Sequence, residues 1–184
     1  MVEWISLSQG DKVNAVDPAT NTLITDFGNH TAQVANVIPP QRAGRIATIA
    51  GATDNTGWCA IDPVTFESKS APNIHVIGDA CLAGAMPKSA FSANSQAKVC
   101  AAAIATLLSG GTPVAPKLIN TCYSLAAPGY GISVAGVYQP KNGVLADFEG
   151  AGGVSPADAP REFRAREADY AQSWFSTATA EVFG

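Results

Sequence analysis

The stretch from residue 73 to residue 108 constrains the fold more than any other part of this chain. It opens on a β-branched run that is typical of a strand covered on both faces. The run consists of Ile74, Val76 and Ile77. A turn at Gly78-Asp79 follows, and then an Ala-rich helix that opens near Pro87 and is ended by a glycine pair at 110–111. A strand, a turn and a helix in this order predict an α/β unit.

The turn and the helix start of this unit predict a place for a cofactor. A carboxylate at the carboxyl end of a strand, facing a helix N-terminus, is where many α/β proteins bind one. Asp79 could accept hydrogen bonds from cofactor hydroxyls, or it could cap the turn that follows. The helix start after Met86-Pro87-Lys88 offers free N–H groups and a full positive charge, which suits an anionic group such as a reduced isoalloxazine ring. Lys88 could equally be a solvated first-turn residue.

Composition excludes some classes of partner. The net charge is −4 and the chain has no basic run, so nucleic acid is not an expected partner. No run of about 18 apolar residues is present, so no membrane span is predicted. With 47% hydrophobic and 14% charged residues, the chain is expected to bury surface against a cofactor or a partner.

The four cysteines offer no zinc motif. There is no CxxC, and only His30 and His75 could assist a metal site, so no metal is expected. Cys100 lies in the Ala-rich helix and is predicted to be buried. Cys122 stands in Asn-Thr-Cys-Tyr-Ser, where it could be a redox thiol or a half-buried structural one. Composition alone favours the structural role for Cys122.

The N-terminal part predicts a β-meander and a short helix. Strands are predicted at residues 4–7, 13–16, 23–25 and 34–38. The helix is predicted at residues 41–50 with Ile46 and Ile49 facing inward, and Phe66 is predicted to be buried.

The C-terminal part predicts a three-stranded hairpin sheet followed by a helix. The strands are expected at residues 118–125, 130–138 and 144–148, with a hairpin turn at 140–143 and a loop at 151–160. The final helix has a strongly apolar face. That face consists of Phe163, Tyr170, Ala171, Trp174, Phe175, Ala178 and Val182. On this pattern Trp174 is more typical of a core residue than of a cofactor stack.

Several motifs together resemble one family, the flavoprotein subunit of flavocytochrome c sulfide dehydrogenase. They are His75-Val-Ile-Gly-Asp-Ala80, Met86-Pro-Lys-Ser89, Asn120-Thr-Cys-Tyr-Ser124 and Tyr170-Ala-Gln-Ser-Trp174. The resemblance implies an α+β or α/β fold, with a partial glutathione-reductase-like FAD domain and a C-terminal module of a β-hairpin plus a helix. It implies the end of an inserted nicotinamide-domain-like unit at 1–40, the second half of the FAD domain at 41–111, and the C-terminal flavin-binding and interface module at 112–184.

The resemblance also implies roles for individual residues. Gly78 and Asp79 would hold the ribityl chain of FAD, and Met86-Pro87-Lys88 would line the pyrimidine side of the flavin. Cys122 matches one of two cysteines that form a redox-active disulfide, and Trp174 matches an aromatic residue near the ring. The resemblance thereby makes the redox role the leading one for Cys122.

The family's activity is a further expectation. Its flavin oxidises sulfide and passes electrons to a cytochrome c subunit in the periplasm. This chain has no GxGxxG fingerprint and no export signal, so we expect a C-terminal fragment that holds little FAD, is inactive alone and self-associates through uncovered surfaces.

Two alternatives stay open. One is a sulfide:quinone oxidoreductase-like enzyme, which would need an apolar membrane-facing C-terminal surface; charged residues expected on the polar face of the final helix argue against it. They are Arg161, Glu162, Arg164, Arg166, Glu167 and Asp169. The other is a non-catalytic interaction module that lost FAD binding.

Overall fold

The computed structural model describes residues 5, 6, 8 and 12–184. Its contacts divide the chain into two compact units, residues 1–41 and 42–184. The strand predicted at 4–7 begins and ends outside the described residues.

The first unit is an antiparallel β-meander. It consists of β1 (Val13–Asp17), β2 (Thr22–Thr25) and β3 (Asn29–Thr31). The strands predicted at 13–16 and 23–25 are confirmed, whereas the strand predicted at 34–38 is wrong. The chain turns directly after β2, where the backbone N–H of Thr25 donates to the Gly28 carbonyl at 2.9 Å. The strand that pairs with β2 therefore begins at Asn29. Residues 34–38 then run unpaired into Pro39-Pro40, which cannot donate to a ladder.

The second unit is a mixed α/β structure with two small sheets and three α-helices. Its elements are α1 (Arg45–Ile49), β4 (Cys59–Ala60), a 3₁₀ turn (Gly78–Ala80), β5 (Cys81–Leu82), α2 (Ala90–Leu108), β6 (Leu118–Ala127), β7 (Tyr130–Lys141), β8 (Val144–Val154) and α3 (Arg161–Phe183). Strands β4 and β5 pair in parallel, and β6, β7 and β8 form an antiparallel sheet in that order. The relation to glutathione reductase remains a prediction.

The C-terminal sheet confirms its three predicted strands and lengthens them. The turn between β7 and β8 falls at Asn142-Gly143, where both φ angles are positive (53° and 77°), as a two-residue hairpin turn requires. Residues 151–154 continue β8, so the loop predicted from 151 begins only at 155.

One apolar core joins α2 and the loops before it to the C-terminal sheet. Its buried members include Phe66, Met86, Leu118, Tyr138 and Leu145. Helix α2 packs on β6, and α3 packs on β7 and β6. The predicted segments 41–111 and 112–184 therefore contribute to the same core, and their assignment as separate domains remains a prediction.

Two expectations about buried elements are wrong. Residues 73–77 do not form a strand covered on both faces: His75 alone pairs, in a single bridge with Glu67, and Ile74 and Ile77 are exposed. The Ile74 N–H serves a turn instead, because it donates to the Ala71 carbonyl at 3.3 Å. In α1 the inward residue is Ala47, while Ile46 and Ile49 are 72% and 67% exposed.

Helix α3 packs through residues that were expected to face solvent. Its buried residues are Arg164, Glu167 and Ala168, whereas Tyr170, Phe175 and Val182 of the predicted apolar face are exposed. The reason is a close backbone approach at Gly131 of β7, where an added Cβ would lie 2.5 Å from the Ala168 nitrogen. That approach sets the face of α3 that meets the sheet.

Candidate functional site

A cavity of about 740 Å³ lies where the start of α2, the strand β6 and the middle of α3 meet. Its lining includes Ser89, Ala90, Phe91, Thr121, Cys122, Tyr123, Leu125, Ala171, Trp174 and Phe175. Phe91 and Trp174 stack across one side of it, with ring centroids 5.1 Å apart and an angle of 17° between planes. A pocket with mostly apolar walls and a few polar groups is the usual form of a small-molecule or cofactor site.

Cys122 is the one thiol that reaches this cavity. Of the four cysteines, all among the described residues, Cys59, Cys81 and Cys100 are buried and Cys122 is exposed. Burial raises the pKa of Cys81 to about 11, against the opposing charge of Lys88, and burial also raises the pKa of Cys59 and Cys100. Buried thiols with raised pKa values are poor nucleophiles, so Cys122 is the cysteine available for chemistry.

A buried polar network ties Cys122 to the start of α2. Ser89 is the N-cap of α2, and its hydroxyl accepts from the Ser92 N–H at 3.0 Å. The hydroxyls of Ser89 and Ser92 donate to Asn120 Oδ1 at 2.5 and 3.1 Å. Asn120 Nδ2 in turn lies 3.2 Å from Cys122 Sγ. Sequence reasoning missed Asn120, Ser92 and Phe91; the available signal was the i, i+2 spacing of Asn120 and Cys122, which places both on one face of a strand.

Lys88 is exposed, and its side chain bridges backbone carbonyls within the predicted cofactor corner. Its ammonium donates to the backbone carbonyl of Asp79 and, at 3.1 Å, to that of Cys81. It also lies 4.0 Å from the ring centroid of Trp58. Helix α2 begins two residues later, at Ala90, so Lys88 precedes the helix.

The other predicted cofactor residues have distinct surroundings. Gly78 donates its N–H to Gln96 Oε1 at 2.7 Å, and Gln96 Nε2 lies 3.5 Å from the sulfur of buried Met86. The Asp79 carboxylate is exposed and has no hydrogen-bond partner within the described part of the chain. Met86 and Pro87 line a second cavity of about 440 Å³.

The structure therefore groups the predicted residues in two sets. Cys122 and Trp174 line the first cavity, and Ser89 brings the chain segment of Met86-Pro87-Lys88 to its edge. Gly78 and Asp79 attach to this segment through Gln96 and Lys88.

None of the helices in residues 12–184 combines the length and the apolar character needed to cross a membrane. The same residues contain no cluster of three or more His, Cys, Asp or Glu side chains that could hold a metal ion.

Comparison with protein families gives a match over part of the chain. Residues 114–183 match the family model described as "flavocytochrome c sulphide dehydrogenase, flavin-binding". The matched segment contains β6, β7, β8 and α3, and with them Cys122 and Trp174. Helix α2, which supplies the remaining wall of the cavity, precedes the matched segment.

Proposed function

We propose, on the premise that this chain is part of the flavoprotein subunit of flavocytochrome c sulfide dehydrogenase, that its larger cavity holds the ring of FAD beside Cys122. The chain would then supply one wall of the active site of a sulfide-oxidising enzyme. The observation that carries the proposal is the meeting of an exposed thiol and a stacked aromatic pair in one apolar cavity.

The residues present fit a flavin. Its planar ring needs flat apolar walls, which Phe91 and Trp174 provide. The backbone N–H groups of Ala90 and Phe91, at the positive end of α2, have no acceptor within the described residues and can donate to electron-rich ring atoms. Asp79, with its unpartnered carboxylate, can accept from ribityl hydroxyls.

The finer roles follow from the family resemblance. We assign Gly78 and Asp79 to the ribityl chain and Met86-Pro87-Lys88 to the pyrimidine side of the ring. Lys88 supports this side indirectly, because it holds the carbonyls of Asp79 and Cys81 and so orders the loop before α2.

Cys122 acts in the proposed reaction as half of a disulfide with a second cysteine. Sulfide sulfur bonds to one sulfur of that disulfide, the S–S bond breaks, and the other sulfur leaves as a thiolate. When bound, FAD supplies the two-electron acceptor that can release electrons singly to a haem. Cys59, Cys81 and Cys100 are buried and so are not proposed as the second cysteine.

The family name joins the flavoprotein to a cytochrome, and we propose a cytochrome c subunit as the electron acceptor and the periplasm as the compartment.

A second candidate function is that of a sulfide:quinone oxidoreductase-like enzyme. The buried positions of Arg164 and Glu167 remove part of the argument against it, and Phe175 and Phe183 give the end of α3 exposed apolar surface. Sedimentation with phospholipid vesicles distinguishes the two candidate functions. Only a sulfide:quinone oxidoreductase-like enzyme is expected to pellet with the lipid.

Titration with FAD tests the flavin site. Binding is measured by the quenching of flavin fluorescence. We expect it to be weak and saturable, and to be lost on desalting. Trp174→Ala should weaken binding about fivefold or more because it removes half of the stacked pair. Phe148→Ala is the matched control, since this aromatic residue of the same sheet does not line the cavity. Equal affinities in all three proteins would contradict the proposed site.

Alkylation tests the redox role of Cys122. A thiol reagent is applied to the purified chain before and after reduction, and the modified peptide is identified by mass spectrometry. Reaction only after reduction supports a disulfide, within the chain or between chains. Equal reaction in both states, together with no FAD binding, would favour the non-catalytic interaction module.

A further inference from the structure

We propose that Asn120 is a positioning residue that donates a hydrogen bond to the sulfur of Cys122, with its amide orientation set by the N-cap of α2. The proposal rests on the function proposed above, because it concerns the reactive state of the same cysteine. It assigns a role to Asn120, a direction to each of its hydrogen bonds, and a consequence for the reactivity of Cys122.

The first step is the burial of the amide. Asn120 is 2% exposed, so its polar atoms need partners from the protein. It lies two residues before Cys122 on β6, and both side chains project from the same face of the strand. The side chain therefore stands between the covered end of this face, under α2, and the cavity where Cys122 is exposed.

The second step is the orientation of the amide. An asparagine side chain can be turned end for end, so its hydrogen-bond partners must decide which end faces the cysteine. Ser89 Oγ already accepts the Ser92 N–H as the helix cap, at 3.0 Å. Its own hydrogen can then point to Asn120, and a separation of 2.5 Å fits an O–H···O bond better than an N–H···O bond, which favours the carbonyl end of the amide there. Ser92 Oγ donates to the same oxygen at 3.1 Å.

The third step is the effect on the thiol. With Oδ1 held by two hydroxyls, the NH₂ end is directed at Cys122 Sγ, 3.2 Å away. An N–H donor favours the charged thiolate over the neutral thiol, because hydrogen bonds to charged groups are the stronger ones. A thiolate is also the form that attacks and leaves in thiol–disulfide exchange.

The test measures the rate of alkylation of Cys122 by iodoacetamide against pH in the reduced chain, without flavin or sulfide. The other three cysteines are buried in the native state, and peptide mass spectrometry assigns the modified residue. This readout is independent of FAD binding, so a failure here is distinguishable from a failure of the proposed flavin site.

Two substitutions separate positioning from structure. Asn120→Asp keeps an oxygen for both serine hydroxyls but replaces the donor by a carboxylate oxygen, and Asn120→Ala removes both ends. Each should slow alkylation near pH 7 about tenfold or more and move the rate profile to higher pH, because the hydrogen bond to the sulfur is lost. Asn94→Ala is the control, because Asn94 lies on α2 but its side chain bonds to Glu181. This substitution should leave the rate profile unchanged.

Unchanged rates and midpoints in folded Asn120→Asp or Asn120→Ala would overturn the proposal. Should both variants fail to fold, nitrogen-15 spectra of the unsubstituted chain decide. The side-chain NH₂ signals of Asn120 should shift along the same pH curve as the alkylation rate, and that shift should vanish in Cys122→Ser. Asn120 NH₂ signals that do not change with the ionisation of Cys122 would also overturn the proposal.

Discussion

At the scale of the residue, Gly84 shows how one missing side chain permits the packing beside the predicted cofactor corner. Its φ is +64°, and an added Cβ would collide with the Leu145 carbonyl oxygen on β8 and lie 3.1 Å from the Leu145 nitrogen. The next residue, Ala85, donates its N–H to that carbonyl at 2.8 Å. The loop that carries Met86 is thus joined to the C-terminal sheet by direct backbone contact.

Gly84→Ala is expected to destabilise the fold by about 3 kcal/mol or more, because left-handed strain adds to a collision with backbone that cannot yield cheaply. Gly110→Ala is the matched control. It has a similar φ of +73° but open space around the added Cβ, so it should cost only about 1 kcal/mol. Urea unfolding of both variants measures the difference, and equal losses would show that the contact with Leu145 is unimportant.

At the scale of the element, α3 is held to the sheet by a buried ionic network. Glu167 Oε1 accepts from the hydroxyls of Ser133 (2.6 Å) and Ser155, and Glu167 Oε2 accepts from Arg164 at 3.3 Å. Arg164 also donates to the Pro156 carbonyl, and its Nε is buried without a partner in the described part of the chain. The helix that carries Trp174 is therefore positioned by polar contacts two turns earlier.

This network predicts a loss of stability in acid. Burial raises the pKa of the Glu167 carboxyl, but the bonds from Ser133, Ser155 and Arg164 outweigh it, so the pKa lies below its ordinary 4.5. Since the unfolded chain binds this proton more readily, the contribution is fully present above about pH 4.5 and is lost as the pH falls through the lowered value.

Thermal unfolding from about pH 6 to about pH 3 measures this loss. Glu167→Gln should remove this part of the pH dependence and cost about 3 kcal/mol at neutral pH, because it leaves Arg164 buried and unpaired. Glu162→Gln, an exposed change in the first turn of α3, should keep the pH profile of the unsubstituted chain. A profile for Glu167→Gln identical to that of Glu162→Gln would refute the role of the network.

At the scale of the whole molecule, the chain is expected to divide at the junction of its two compact units. Residues 32–44 form no helix or strand and are mostly exposed, and Arg42 lies within them. Cleavage concentrates in exposed segments without secondary structure. Brief trypsin treatment should therefore cut first after Arg42 and leave residues 43–184 intact and folded, as mass spectrometry and circular dichroism would show. A first cut at Lys141 in the β7–β8 hairpin would contradict this division.

Much of this architecture was predictable because it depends on local sequence. The hairpin sheet follows from alternating strands and from Asn142-Gly143, whose positive φ angles few other residues adopt easily. Helix α2 follows from its Ser89 cap, its alanine content and its terminal glycines. The motif around Cys122 indicated its role only through a family resemblance, and the family match at residues 114–183 supports that resemblance.

The corner at Gly78-Asp79 and Met86-Pro87-Lys88 first indicated a cofactor site, and that role stays a prediction. The sequence by itself determined the C-terminal hairpin sheet and the two long helices, because caps, turns and strand alternation act between neighbours along the chain. Only the tertiary structure decided which face of α3 is buried and that Asn120 lies between Ser89 and Cys122. These depend on backbone approach across distant segments, as at Gly131 and Ala168, and no local pattern encodes such an approach.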